Sequence, residues 1–305
     1  MVISRCYSVA MPRILISGAS GLIGCALVPS LESKGYQVTR LVRRETTVLN
    51  EIHWDPIHSI PPELVSGFDA VIHLSGETIT GRWTAAKKIR IRDSRVVSTK
   101  NLSAAVAKSG IPPQAFLCAS ATGYYGSRGD EVLTEESTFG TGFLPEVCRE
   151  WESATKPAAD ARIRTTNLRT GIVLSRDGGA LKQMLLPFRL GLGGRIGSGR
   201  QWWSWIHIED FVAAVHHILQ SNCARGPINM VSPSPLSNAD FTGALAKVLT
   251  RPAILPLPAF AARLALGELA DEALLASARV EPKALFDSGF EFKFPQLGSA
   301  LESLL

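Results

Sequence analysis

Arg13-Ile-Leu-Ile-Ser-Gly18-Ala-Ser-Gly21-Leu-Ile-Gly24 is a short apolar run that enters three glycines spaced three apart and then turns helical. A helix that starts this way aims its N-terminal N–H groups and its dipole at an anion. One glycine permits the tight turn, one lets the backbone approach a pyrophosphate, and one lets helix and strand pack closely. A glycine turn kept only for packing is the competing reading. The strand before and the helix after favour a nucleotide, held by Gly18, Ser20, Gly21, Leu22, Ile23 and Gly24.

Outward from this loop, strands and helices alternate. The pattern predicts strands at 13–17, 36–42, 52–55, 69–74, 115–119 and 165–168, and helices at 22–34, 83–108 and 143–161. The run Asp69-Ala-Val-Ile-His-Leu74 is continuous, as in a strand covered on both faces. This order predicts an α/β fold: a Rossmann-type, doubly wound parallel sheet with right-handed crossovers. After Gly171 the regularity breaks. Helices are expected at 181–190 and 209–219, a strand at 227–230, and two or three further helices in a proline-punctuated tail from Asn238. The expected division is an extension at 1–10, a nucleotide-binding domain at 11–172 plus 205–230, and a smaller, mainly helical capping domain at 173–204 plus 231–305.

At the end of the second strand stand Arg43 and Arg44. An acidic residue there would bond a ribose 2′-hydroxyl. A guanidinium fork instead grips a 2′-phosphate. The pair therefore predicts NADP(H) over NAD(H), with Glu45 the one nearby residue that keeps NAD open.

Bulk properties limit the partners. The net charge is only +5 over 305 residues, with no long basic tract, which argues against nucleic acid. No apolar run reaches the ~20 residues of a membrane span, so no membrane is expected. Residues 1–10 are too short and weakly apolar for a secretory signal, and an alternative-start extension is favoured over a targeting remnant. The five cysteines, Cys6, Cys25, Cys118, Cys148 and Cys223, form no Cys-x-x-Cys pair. That argues against a disulfide or zinc framework and fits a reducing, cytoplasmic location. A homo-oligomer stays open.

With the glycine loop, Leu74-Ser-Gly-Glu77, Asp93-Ser-Arg95 and Ser120-Ala-Thr-Gly-Tyr-Tyr-Gly126 in view, the chain resembles the extended short-chain dehydrogenase/reductases. More narrowly, it resembles the atypical epimerase-family, YfcH-like (SulA-like) group. Pro187-Phe-Arg-Leu-Gly-Leu-Gly-Gly194, Trp205-Ile-His-Ile208 and the tail from Arg251 extend the likeness over residues 12–305. The resemblance implies that Leu74, Ser75, Arg95 and Val173 contact the cofactor and that the substrate is a small molecule of unknown identity. Asp55 is read either as an adenine contact or as a turn former before Pro56. On the long helix, Arg92, Arg95 and Thr99 share one stripe, and Ile89 and Val96 are expected on a buried one.

The resemblance also exposes a departure. The superfamily's Tyr-x-x-x-Lys pair, in which the lysine lowers the pKa of the tyrosine, falls on Leu144 and Cys148 when the helix is registered on Trp151-Glu152. The remaining candidates are Ser120, Tyr124 and Tyr125. Ser120 is either a substrate contact or a turn hydroxyl, and each tyrosine is either a proton donor or cleft-mouth packing. His207 is read as bonding nearby backbone, with Asp210 as a helix cap, rather than as a catalytic pair. His216 and His217 face different sides, so no metal site is expected. Trp202, Trp203 and Trp205 either wall a substrate cleft or fix the cap to the core.

Overall fold

The computed structural model describes residues 11–221 and 224–305. The expected extension at 1–10, with Cys6, and Cys223 lie outside the described residues. Seven parallel strands form one sheet: β1 (Arg13–Ser17), β2 (Gln37–Val42), β3 (Glu51–His53), β4 (Ala70–His73), β5 (Ala115–Ala121), β7 (Arg164–Thr170) and β11 (Gly226–Met230). Their order is β3-β2-β1-β4-β5-β7-β11, so the chain winds outward in both directions from β1. Register is set by the period of two. Ile14 and Ile16 face one core with Ala70, Ile72 and Leu117, while Leu15 faces the other with Val71 and Phe116.

Helices cover both faces, as buried strands require. Leu27, Val28 and Leu31 of α1 (Leu22–Ser33) and Phe211, Val215 and Ile218 of α6 (Ile208–Gln220) fill the first core. Leu102 and Val106 of α2 (Ala85–Lys108), Trp151 of α3 (Phe143–Ser153) and Ala158 of α4 (Lys156–Asp160) fill the second. The single helix expected at 143–161 is thus two. The chain breaks at 154–155, and Pro157 stands in the first turn of α4, where a missing N–H costs nothing.

Three small pairs attach the rest. β8 (Ile172–Leu174) lies parallel to β10 (Trp205–His207), β9 (Trp202–Trp203) antiparallel to β12 (Leu236–Ser237), and β6 (Val132–Leu133) parallel to β13 (Arg279–Val280). A third core gathers α5 (Gly179–Arg189), α7 (Asn238–Leu249) and the terminal α10 (Leu297–Leu304) around Trp203, Trp205 and Phe241. The tail also holds α8 (Ala259–Leu266), a π-helical turn at Ala270–Leu274 and α9 (Lys283–Asp287), more pieces than the two or three helices expected.

The structure corrects two further expectations. Ile89 is exposed rather than buried, because the inward face of α2 is carried by Ile91, Leu102 and Val106. Asp210 does not cap α6; it accepts from the backbone N–H groups of Lys293 and Phe294. His207 does bond nearby backbone, its Nδ1 accepting from the N–H of Glu209, and so caps α6 in place of Asp210.

Candidate functional site

β1 delivers Gly18 with φ +75°, in the left-handed region open to glycine. A Cβ there would stand 2.7 Å from the Leu74 carbonyl carbon, and one on Gly24 would stand 2.3 Å from the Gly18 oxygen. Turn, strand end and helix are therefore packed backbone against backbone. Gly21 starts α1 without a side-chain cap, and the first turn holds no acidic residue. A 12-residue helix with a bare, uncontested N-terminus fits an anion. Ser20, Leu22 and Ile23 stand at this mouth, and Leu22 also packs toward Gly178 and Gly179 at the start of α5.

The two arginines differ. Arg44 donates to both carboxylate oxygens of Glu51 at 2.8 and 2.7 Å. The Glu51 carboxyl is held below its ordinary range by the Thr46 hydroxyl first and by Arg44 next, against the opposing effect of desolvation. Arg43 has no ion pair among the described residues, and its charge is felt by Glu77. Glu45 turns to His53 at 3.3 Å. Asp55 accepts from the N–H of Ile57 and lies 3.0 Å from His58 Nδ1, which makes it a turn former.

β4 ends at Leu74 and Ser75, both partly exposed beside Gly18. Arg95 comes from α2. Its guanidinium packs over the Trp151 ring at 5.1 Å, donates to the Ile91 carbonyl and lies against Gly76. It too has no carboxylate partner among the described residues, and burial holds its pKa below the ordinary arginine value. Thr99, on the same stripe, accepts from Trp151 Nε1 at 2.9 Å, whereas Arg92 pairs with Glu150. Val173 sits in β8 against Ile206 and near Gly179.

At the C-terminal end of β5 the structure separates the three catalytic candidates. Ser120 is buried and donates to Glu152 Oε1 at 2.7 Å. Tyr125 is wholly buried. Its hydroxyl donates to Asn229 Oδ1 at 2.7 Å, accepts from Arg169 at 2.9 Å, and is pushed up to about 12, chiefly by burial. That environment gives Tyr125 no access to a substrate, so the proton-donor reading is not carried forward for it. Tyr124 is partly exposed, with Arg169 3.5 Å above its ring and Tyr125 and Phe139 at its edges. Thr122 is also partly exposed. On α3, Leu144 and Cys148 flank Gly123, and burial pushes the Cys148 thiol up to about 12.

The centre of this region is not visible in the local sequence pattern. Glu152 on α3 receives Arg169 of β7 in a bidentate pair, at 2.8 and 2.9 Å, while also accepting from Ser120. One signal does exist: Arg169 is a charged residue within a strand covered on both faces, which demands a partner. Glu272 is equally hidden. Its carboxylate accepts from the N–H groups of Phe143 and Leu144 and so caps α3 from 128 residues beyond. The tryptophans resolve toward anchoring. Trp203 and Trp205 are buried and donate to the carbonyls of Leu274 and Ser234, and Trp202 donates to Asp130. His216 and His217 point to Ser30 and Ser288 respectively. No group of metal-binding residues occurs among the described residues, and no described helix is long and apolar enough to cross a membrane.

A bare helix N-terminus over a glycine turn, an arginine after β2 with no ion pair among the described residues and a seven-stranded outward-wound sheet are joined by a direct match: residues 14–230 fit the model of the NAD dependent epimerase/dehydratase family. The chain belongs to that family. Residues 257–304 match a domain of unknown function, DUF1731, which is the tail that the sequence resemblance singled out. This family member is 44% identical over 290 residues to epimerase family protein Mb2239 of Mycobacterium bovis, covering 94% of this chain and 96% of that one. It is 35% identical over 297 residues to human epimerase family protein SDR39U1, covering 96% and 99%. The crystal structure of human SDR39U1 (isoform 2) with NADPH superposes with a TM-score of 0.88 at 34% identity, covering 96% of this chain and 98% of that one. A nucleoside-diphosphate sugar epimerase from Corynebacterium glutamicum superposes at 0.81 with 38% identity, but over only 58% of its own length. The fold is that of the extended short-chain dehydrogenase/reductases, as the resemblance implied.

Proposed function

We propose that this protein binds NADP(H) along its glycine loop and acts as an oxidoreductase or epimerase-like enzyme on a small molecule held over Thr122 and Tyr124. The observation that carries the reading is Arg43: a guanidinium with no ion pair among the described residues, just after β2, the strand that pairs with β1 and its glycine turn. The NADPH in the human relative supports the same choice. Gly18, Ser20, Gly21, Leu22, Ile23 and Gly24 meet the pyrophosphate. Arg43 grips the 2′-phosphate, and Arg44, restrained by Glu51, adds charge behind it. Leu74 and Ser75 line the ribose path, Arg95 supplies a desolvated cation beside Gly76, and Val173 offers an apolar contact from β8.

When bound, the nicotinamide supplies or accepts hydride. Tyr124 is the proton donor in this reading, because its ring lies at the open surface of the site. Ser120 acts differently from a free hydroxyl. Its proton is committed to Glu152, so it offers a substrate only acceptor lone pairs.

A second reading, NADP(H) binding without turnover as a redox sensor or interaction protein, is favoured by one observation. Leu144 and Cys148 occupy the Tyr-x-x-x-Lys positions, and a buried thiol with a raised pKa replaces neither group. Tryptophan quenching by NADPH and NADH tests the shared part. Arg43→Ala is expected to weaken NADPH far more than Arg44→Ala; equal effects, or tighter NADH binding, would overturn the assignment. A screen of carbonyl and sugar-nucleotide compounds for NADPH oxidation tests turnover. Activity abolished by Tyr124→Phe supports the enzyme, and tight cofactor binding with no oxidation supports the second reading.

A further inference from the structure

The loop after α5 and the segment before α8 lie side by side. Leu255 N–H donates to the Gly193 carbonyl at 3.2 Å, Leu257 N–H to Arg195 at 2.9 Å, and Gly197 N–H to Leu257 at 2.8 Å. Residues 193–197 and 255–257 therefore run side by side. From these segments and from α5 and α8, Leu186, Leu190, Ile254, Leu255, Phe260 and Leu264 project, each between 50% and 77% exposed. Leu186 and Leu190 lie one turn apart on or just past α5, and Phe260 and Leu264 one turn apart on α8, so each pair shares a helix face. Large apolar side chains exposed together on adjoining segments mark an interaction surface.

The charges on the same segments are one-sided. Residues 178–208 and 241–267 contain no aspartate or glutamate, the nearest being Asp177, Glu209, Asp240 and Glu268 at their ends. They do contain Lys182, Arg189, Arg195, Lys247 and Arg251, none of which is ion-paired among the described residues. Arg263 is paired to Asp271. The occupant must therefore be apolar at its centre and anionic around it. A second copy docked by the same face would set these cations against their own images, which like-charge repulsion opposes. A partner helix would need a groove, whereas these side chains stand out from the surface. Projecting apolar side chains on segments that also carry Lys and Arg suit a bilayer interface, where the apolar tips enter the acyl boundary and the cations meet anionic headgroups.

We infer that this face docks the protein peripherally onto an anionic lipid bilayer. The inference is independent of cofactor chemistry: it needs neither the glycine loop nor the groups around Tyr124. It also revises the expectation of no membrane, which rested on spanning segments alone.

Vesicle flotation with the full chain tests it. The expected result is co-flotation with vesicles of phosphatidylcholine containing about a third phosphatidylglycerol, release at high salt, and little binding to phosphatidylcholine alone. Arg189→Ala with Arg251→Ala should lower the partition roughly 25-fold, about fivefold per cation. Leu190→Ser with Phe260→Ser, both at exposed positions that the core does not use, should abolish it. Failure to float with anionic vesicles overturns the inference, as does flotation unchanged in both double variants. A dimer detected by light scattering and dissolved by Leu190→Ser with Phe260→Ser also overturns it, because the face would then be covered by a second copy.

Discussion

Glu152→Ala removes the only carboxylate, among the described residues, facing a guanidinium whose side chain is 4% exposed. Three bonds end on that carboxylate: Arg169 Nε at 2.8 Å, Arg169 Nη2 at 2.9 Å and Ser120 Oγ at 2.7 Å. Nη1 keeps the Tyr125 hydroxyl and the Glu135 carbonyl, which supply dipoles but no negative charge. Stranding one partner of a buried ion pair costs about 3–5 kcal/mol. Leaving the Ser120 hydroxyl without an acceptor adds about 1 kcal/mol, at the low end because it can rotate. The expected loss is therefore about 4–6 kcal/mol, a large share of the stability of a typical domain. Arg169→Met strands Glu152 in turn, and Glu152→Ala with Arg169→Met removes both charges, so the double variant should lose clearly less than the sum of the single changes, with a coupling of at least about 2 kcal/mol. Urea unfolding followed by near-ultraviolet circular dichroism reads all four proteins of the cycle. A loss below about 1 kcal/mol for Glu152→Ala, or strict additivity in the double variant, would refute the claim that this pair anchors α3 to β7.

Three other outcomes rest on the same geometry. Gly24→Ala drives a Cβ to 2.3 Å from the Gly18 oxygen; the turn must open, and NADPH affinity, read by tryptophan quenching, should fall about tenfold or more. His73 is pushed down to about 3 by burial, and His216 to about 4 by burial and then by Lys34. Both stay neutral in the folded chain while the unfolded chain takes up protons below about 6.5. Their contribution is thus present above that pH and lost as pH falls; between pH 6.5 and 5 the two together should cost about 3 kcal/mol, and urea midpoints flat across that range would contradict it. Glu272→Ala uncaps α3 and should cost about 1–2 kcal/mol in thermal or urea unfolding; an unchanged midpoint would mean that water satisfies Phe143 and Leu144 equally well.

The parts legible in the sequence are those governed by local pattern. Arg13–Ser17 reads as a strand because the apolar run Ile14-Leu-Ile16 leads into the glycines, whose spacing dictates the turn and the helix behind it, and every residue after Arg13 is indeed buried. The sheet order comes from alternating strands and helices with right-handed crossovers. Features that depend on pairing at a distance are not legible in this way. Glu152 serves as a register mark beside Trp151, but nothing in its own neighbourhood announces Arg169, which lies beyond a second helix on the next strand. Tyr124 and Tyr125 are chemically identical neighbours, and only the turn at 122–125 decides which ring is buried. His207 takes the capping role expected of Asp210 for a similar reason. Both can cap a helix, but only the tail at 293–294, far along the chain, offers Asp210 two N–H groups. The division at 143–161 is within reach of the sequence, since Pro157 marks a helix start.

Glu272 also bears on synthesis. The helix it caps begins at Phe143, so 129 residues must be added before the carboxylate exists. At roughly 5–20 residues per second, the nascent chain carries that helix end bare for about 6–26 s. During that interval Phe143 and Leu144 have only water or a chaperone to satisfy them, and the edge of the site around Gly123 lacks its outer clamp. Truncation anywhere before residue 272 would make this interval permanent. The ribosome thus completes the site's last support well after the sheet strands β1 to β11 have been made.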